Sequence, residues 1–145
     1  MKITAKIVYG LQFLIHVAEE GDTSYVQIRD VVRKESISEK YLESIAGQLK
    51  SSGLLSVKRG AYGGYKLSKL ATKVSLKEIF DTLEGLELVP DVIQNPTATE
   101  TVAVKAIREL VFLFQEEVIK ILSDKTLDDI VALKKKHAQF DDYQI

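Results

Sequence analysis

Positively charged side chains are concentrated between residues 40 and 73, where they could bind phosphate groups. This stretch contains a single acid, Glu43, although the whole chain has 20 basic and 21 acidic residues and a net charge of −1. A local excess of cations favours a polyanionic partner such as nucleic acid, and the alternative is a solvated charged surface. The cations of this stretch are Lys40, Lys50, Lys58, Arg59, Lys66, Lys69 and Lys73.

A predicted helix over residues 39–52 positions the first of these cations. Leu42, Ile45 and Leu49 recur at i, i+3 and i+7 and therefore share one face. Gly53 is expected to end the helix in the left-handed conformation. Ser38 is a natural N-cap, and Ser36 with Glu39 also has the spacing of a capping box. Another face carries only small or polar residues: Lys40, Glu43, Ser44, Gly47 and Ser51.

A Gly-rich hairpin follows this helix. Two predicted strands, residues 54–58 and 65–68, flank a tip that reads RGAYGG. A shorter helix over residues 27–34 precedes the helix at 39–52, so the two helices form a helix-turn-helix. With the hairpin added, the pattern predicts a winged helix-turn-helix, whose second helix enters the major groove of DNA.

The residue types of this unit suggest specific DNA contacts. Lys40 can reach a phosphate or a guanine edge, and Glu43 can accept from a cytosine amino group. Arg59 on the hairpin tip can enter the narrow minor groove. Glu43 could instead pair with a lysine of its own helix, and Lys2 and Lys6 at the start of the chain could serve solubility alone. The candidate DNA-binding residues are Lys2, Lys6, Lys40, Glu43, Ser44, Lys50, Arg59, Tyr62 and Lys66.

The chain also resembles a known family over roughly residues 1–130. The pattern SxxYLxxIxxxLxxxGLLxxxRGAxGGYxLS, with the opening MKITAKIVYGLQFLIHVA and the later SLKEIFDTLEG, is similar to the Rrf2 family of bacterial winged-helix regulators. The resemblance implies that Lys40, Glu43 and Ser44 face the bases and that Arg59 acts from the wing. It also implies a homodimer, joined through a long helix, that regulates transcription by sequence-specific binding to a palindromic operator, most simply as a repressor.

The segment at residues 86–100, LELVPDVIQNPTATE, departs from the family. Many Rrf2 proteins hold an iron–sulfur cluster with three cysteines there, whereas this chain has no cysteine at all. We therefore expect no cofactor held by thiolates and no disulfide. Cysteine-free members of the family exist, and some read cysteine metabolism through a partner protein. We expect the segment to be a loop of about fifteen residues, of a length that is usually functional or mobile.

The C-terminal half is expected to be helical. A helix over residues 101–122 is apolar over more than one stripe, which predicts burial against a second copy or against the chain's own helices. A last helix is expected over residues 126–136, closed by its lysines, with an acidic-aromatic tail at 140–145. The fold class is thus mainly α, with a winged helix-turn-helix domain at 1–74 and a linker, loop, dimerisation helix and C-terminal helix at 75–145.

Other function classes have little support in the sequence. No nucleophile–base pair or cofactor fingerprint is present, so we expect no enzyme, and His16 is expected to pack near the core. No apolar run or signal pattern suggests a membrane, which points to the cytoplasm. The alternative is a protein-interaction module that uses the winged helix and residues 86–100 to bind a metabolic enzyme or another partner. A protein or small-molecule effector could also bind at residues 86–100.

Overall fold

The computed structural model describes residues 2–21 and 23–143, and this part of the chain is mostly helical. A two-stranded antiparallel sheet stands between the third and fourth helices. The elements, in chain order, are α1 (Ala5–Glu20), α2 (Ile28–Glu35), α3 (Glu39–Ser51), β1 (Leu55–Lys58), β2 (Gly64–Leu67), α4 (Leu76–Leu83), α5 (Asp91–Gln94), α6 (Val102–Asp124) and α7 (Leu127–Tyr143), with a 3-10 turn at Ala71–Lys73.

Side-chain caps fix where the helices begin. The Ser38 hydroxyl accepts from the Tyr41 amide at 3.4 Å, which confirms Ser38 as the N-cap of α3. Ser36 instead ends α2 in the left-handed conformation, with φ 55°, so it forms no capping box with Glu39. At α4, Ser75 and Glu78 form the capping box that their spacing predicts.

The chain turns from α3 into the sheet at Gly53, as expected. The Leu54 amide bonds the Leu49 carbonyl and the Gly53 amide bonds the Lys50 carbonyl, at 3.1 and 3.0 Å. This pair of bonds is a Schellman motif, and Gly53 adopts the required positive φ of 87°. The strands then pair with Leu55 opposite Leu67. The α3–β1–β2 order is that of a winged helix-turn-helix.

One apolar core holds α1, α3 and α4 together. Phe13, Leu42 and Ile79 are fully buried in it. Gly10 lets α4 approach α1 closely, because a Cβ at that position would lie 2.5 Å from a methyl carbon of Leu83. Leu122 of α6 and Leu127 of α7 belong to the same core. Apolar packing therefore crosses residue 74, and the functional division of the chain at that point stays a prediction.

Two expectations for the C-terminal half are corrected. Residues 86–100 are not a bare loop, because they contain α5 and bury Val89 and Ile93. The last helix does not end at its lysines but continues to Tyr143, since no Gly or Pro follows them. Thr126 caps its first turn: the Asp129 amide donates to the Thr126 hydroxyl at 3.3 Å. The end of the expected tail, residues 144–145, lies outside the described residues.

Candidate nucleic-acid interface

Helix α3 presents a polar face opposite its buried one. Leu42, Ile45, Ala46 and Leu49 are buried in the core. The candidates Lys40, Glu43, Ser44 and Lys50 are all exposed. A Cβ added at Gly47 would meet nothing within 4 Å, so the backbone there is open to a close approach. The structure thus places the four exposed candidates on one accessible helix.

Glu43 is not tied up by the lysines of its own helix. Within residues 2–21 and 23–143, it forms no ion pair with Lys40 or Lys50. Burial raises the pKa of Tyr65, and the negative charge of Glu43 raises it further. Glu43 is therefore available to accept a hydrogen bond from a base.

The hairpin tip is a tight turn that exposes a cation and an aromatic ring. The Gly63 amide closes the turn on the Gly60 carbonyl at 3.0 Å. Arg59 is exposed, and Tyr62 is 91% exposed. A Cβ at Gly63 would lie 2.0 Å from the Lys58 carbonyl oxygen. The sequence RGAYGG therefore builds a thin, closed tip that holds Arg59 at its base, a shape suited to a narrow groove.

A third segment pairs with β2 near the tip end of the hairpin. Val26 and Tyr65 exchange two backbone hydrogen bonds, both 2.8 Å. Gly64 allows this approach, since a Cβ there would lie 2.5 Å from the Val26 carbonyl oxygen and its φ is 143°. Tyr65 packs edge-on against Phe13 of α1, with ring centroids 5.6 Å apart.

The outer face of the hairpin carries a lysine pair that sequence reasoning recognised only in part. The ammonium groups of Lys58 and Lys66 each lie 5.7 Å from the centre of the Tyr25 ring. Neither lysine forms an ion pair within the described part of the chain. Lys69 differs, because it bonds Glu78 at 2.6 Å. The alternation of side chains along the strands could have predicted this pair, since residues 58 and 66 fall on one face of the paired strands.

Sequence reasoning located α2 but missed the roles of two residues at its start, Gln27 and Arg29. The side-chain amide of Gln27 donates to the Ala61 carbonyl at 2.9 Å. Arg29 is exposed and lines, with Glu39, a shallow groove between α2, α3 and the hairpin tip. No periodic pattern in the sequence singles out Gln27. Arg29 could have been recognised from the sequence as a cation in the first turn of α2.

Lys2 and Lys6 lie at the N-terminal end of α1. Lys2 is exposed and Lys6 is half-buried at the start of α1. One turn further on, Tyr9 packs edge-on against Tyr41 of α3, with ring centroids 5.6 Å apart. The structure therefore places Lys6 one helical turn before the α1–α3 contact.

A polar cluster joins α1 to the end of α2. The His16 ring and the Gln12 amide bond the two carboxylate oxygens of Glu35 at 2.6 and 2.9 Å. The hydrogen bond from His16 lowers the pKa of Glu35 despite partial burial. His16 is 12% exposed, which confirms its packed position. The cluster fixes α2 on α1 and so sets the orientation of the helix-turn-helix.

Residues 86–100 are fastened to α6 by one arginine. Arg108 bonds both carboxylate oxygens of Glu100 and donates from Nε to the Ile93 carbonyl at 2.7 Å. The hydrogen bond from Arg108 lowers the pKa of Glu100.

In the part of the chain that the structure describes, no helix is both long and apolar enough to cross a bilayer.

Comparison with known proteins gives the family. The model of the Rrf2 family, described as "Iron-dependent Transcriptional regulator", matches residues 3–133. The residues around 86–100 do not fit an iron–sulfur cluster, because the chain has no thiolate to offer and the segment is occupied by a guanidinium–carboxylate pair. The iron dependence in that description is therefore not transferred to this chain.

Relatives and solved structures agree with this assignment. The regulator CymR of Bacillus subtilis is 29% identical over 132 residues, covering 91% of this chain and 91% of that protein. Protein rrf2 of Nitratidesulfovibrio vulgaris is 33% identical over 87 residues, covering 60% of this chain and 58% of its own length. The solved CymR of B. subtilis matches with a TM-score of 0.77 at 29% identity, covering 92% of this chain and 98% of that one. The family and these regulators are not enzymes, and the chain belongs to the Rrf2 family of DNA-binding transcriptional regulators.

Proposed function

We propose that this protein is a homodimeric repressor that binds a palindromic operator, with α3 in the major groove and the hairpin tip in the minor groove. One observation carries the proposal. The exposed face of α3 offers Lys40 and Glu43 without ion-pair partners in the described residues, beside a closed tip that exposes Arg59. This arrangement supplies hydrogen-bonding groups for two grooves from one rigid unit.

The proposed contacts divide into those that position the protein and those that read the sequence. Lys2, Lys6, Lys50 and Lys66 bind backbone phosphates in this proposal. Because each neutralised phosphate releases counterions, six to ten such contacts in the dimer would lower affinity by roughly 10³–10⁵-fold between 50 and 200 mM salt. Selectivity comes from Lys40, Glu43 and Ser44 at base edges and from Arg59 in the minor groove, while Tyr62 contacts the sugar-phosphate backbone.

The proposal of a homodimer is based on the difference between the two faces of α6. The inner face, with Val118 and Leu122, packs on the chain's own core. The outer face leaves large apolar side chains between 50% and 61% exposed: Ile107, Leu110, Phe114 and Ile121. These four follow helical spacing and form one apolar stripe, the kind of exposed surface that marks an interaction site. A second copy would cover it about a two-fold axis, and that axis matches a palindromic site.

We assign signal input to residues 86–100. This segment buries Ile93 and is held to the dimerisation helix through Arg108, so a protein or small-molecule effector bound there could move α6. In this proposal the protein acts in the cytoplasm and catalyses no reaction.

The experiment is selection of duplex fragments from random sequence with the purified protein at two salt concentrations. We expect a palindromic motif that loses its base preferences, at different positions, in Glu43→Ala and Arg59→Ala. Lys135→Ala, an exposed cation on α7, is the matched control and should leave the motif unchanged. The proposal fails if the wild type shows no salt-dependent DNA binding and instead captures one enzyme stoichiometrically, the result expected of a protein-interaction module.

A further inference from the structure

We propose that Gln27 is a positioning residue that holds the hairpin tip in register for the minor groove, so that the base preference supplied by Arg59 depends on it. The inference rests on the proposed function, since it concerns how the tip meets DNA. It adds the N-cap residue of α2 to a contact otherwise made by the hairpin alone.

The first observation is what the Gln27 side chain does not do. Gln27 is the N-cap residue of α2, yet its side chain makes no capping hydrogen bond. Ser, Thr, Asp or Asn at this position would accept from a free amide of the first turn. At Gln27 the side chain reaches the Ala61 carbonyl, 34 residues away in sequence, at 2.9 Å. Because a carbonyl only accepts, the Nε2 group must be the donor, and the amide orientation is fixed.

The second observation is how little else holds the tip. The β1–β2 ladder ends at the pair Lys58–Gly64, and the bonds between Val26 and Tyr65 hold the strand beside that last pair, not the residues of the turn itself. Across residues 59–63, the described hydrogen bonds are the turn closure from Gly63 to Gly60 and the bond from Gln27. Gln27 is thus the one described hydrogen-bonding tether between the helix-turn-helix and the tip.

These two observations have a direct consequence for recognition. Without the tether, the strands and the Val26–Tyr65 bridge remain paired, but the tip gains conformations that must be lost again on binding. Arg59 stands immediately before the tip turn, so the position of its guanidinium relative to α3 depends on the tip. A variant without the tether should therefore lose base preference at the operator positions read in the minor groove. It should keep its preference at the bases read by α3.

The test compares Gln27→Ser with Gln27→Ala and with Gln139→Ser, an exposed glutamine on α7. A serine at position 27 removes the tether but restores a good N-cap, so its melting temperature should equal or exceed that of the wild type. We expect operator affinity to fall roughly 3- to 10-fold, the effect of one lost hydrogen bond. Base preference should weaken at the positions that Arg59→Ala also weakens, and the control should match the wild type.

A double variant makes the test decisive. If Gln27 acts through the tip, adding Gln27→Ser to Arg59→Ala should cost little more than Arg59→Ala alone, because the two residues form one unit. Additive losses, or an even loss of preference at every operator position in Gln27→Ser, would overturn the inference. Failure of the proposed function is seen separately, as the absence of any selected motif in the wild-type arm.

Discussion

Two surfaces of this protein are left uncovered by its own fold, and their chemistry is opposite. On α3 the exposed face carries Lys40, Glu43 and Lys50. On α6 the outer stripe carries apolar side chains, with Leu110 51% and Phe114 61% exposed. The first surface offers charges and hydrogen-bonding groups, whereas the second offers mainly large apolar side chains. A polyanion suits the first, and only an apolar partner suits the second.

The difference shows how the two surfaces depend on each other. The apolar stripe can be buried without any ligand, so its partner need only be another copy of the chain. The polar face gains affinity mainly from phosphates and gains a defined half-site spacing only when two copies are fixed relative to each other. Dimerisation through α6 would therefore set the geometry within which α3 and the hairpin tip read DNA.

The largest effect is expected from a charge in the apolar stripe. Phe114→Glu should abolish the dimer, because it would place two carboxylates in an apolar interface. Operator affinity should then fall at least about 100-fold, as bivalent binding is lost. Analytical ultracentrifugation and titration with an operator duplex measure the two effects. Phe140→Glu on α7 is the matched control, since Phe140 is 60% exposed. Equal effects of the two variants would contradict the comparison.

A smaller effect is expected from the polar surface. Arg59→Ala should reduce operator affinity roughly 5- to 150-fold, the range for one specific groove contact, while the protein remains dimeric. The loss should be greater on the selected operator than on random duplex. If both duplexes lose affinity equally, Arg59 is a backbone contact and contributes no selectivity.

Local patterns explain most of what the sequence predicted correctly. Apolar spacing located α3, a serine located its N-cap, and Gly53 located its end. These signals act within one or two helical turns, so tertiary structure is not needed to read them. The end of α7 was misjudged because a lysine run resembles a C-terminal cap, although only a breaker such as Gly or Pro forces a helix to stop.

The side-chain bonds that hold the site together could not be predicted in the same way. Gln27 and Ala61 are 34 residues apart, and Gln12 and Glu35 are 23 apart. Such pairs depend on where the fold brings distant segments, and neither partner has a periodic signature. The packed state of His16 was predicted, but its carboxylate partner was not. The candidate base contacts therefore came from the sequence, whereas the residues that position them came from the structure.

Substitution of the lysine pair on the hairpin, Lys58 and Lys66, tests whether the DNA-binding surface extends beyond α3 and the tip. Lys58→Gln with Lys66→Gln should lower the salt dependence of DNA binding by about one unit of log–log slope per lysine that contacts a phosphate. The loss should be uniform across sequences. Lys69→Gln is the control, since Lys69 is already neutralised by Glu78. The extension is disproved if all three lysines change the slope equally.

The smallest effect concerns the segment that joins the two surfaces. Arg108 lowers the pKa of Glu100 below its ordinary value of 4.5, so their pairing stabilises the fold fully above that pH. The stabilisation is lost as the pH falls through the lowered native pKa. Urea unfolding at one protomer concentration should therefore show Glu100→Gln less stable than the wild type at pH 7, with the difference shrinking toward pH 3.

Glu87→Gln is the control for this measurement, because Glu87 lies in the same segment but is exposed and forms no ion pair in the described residues. It should show no difference that depends on pH. A constant gap between Glu100→Gln and the wild type at every pH would mean that the carboxylate acts by packing alone. In that case the charge of Arg108 would not fasten residues 86–100, and signal input through that pairing would lose its physical basis.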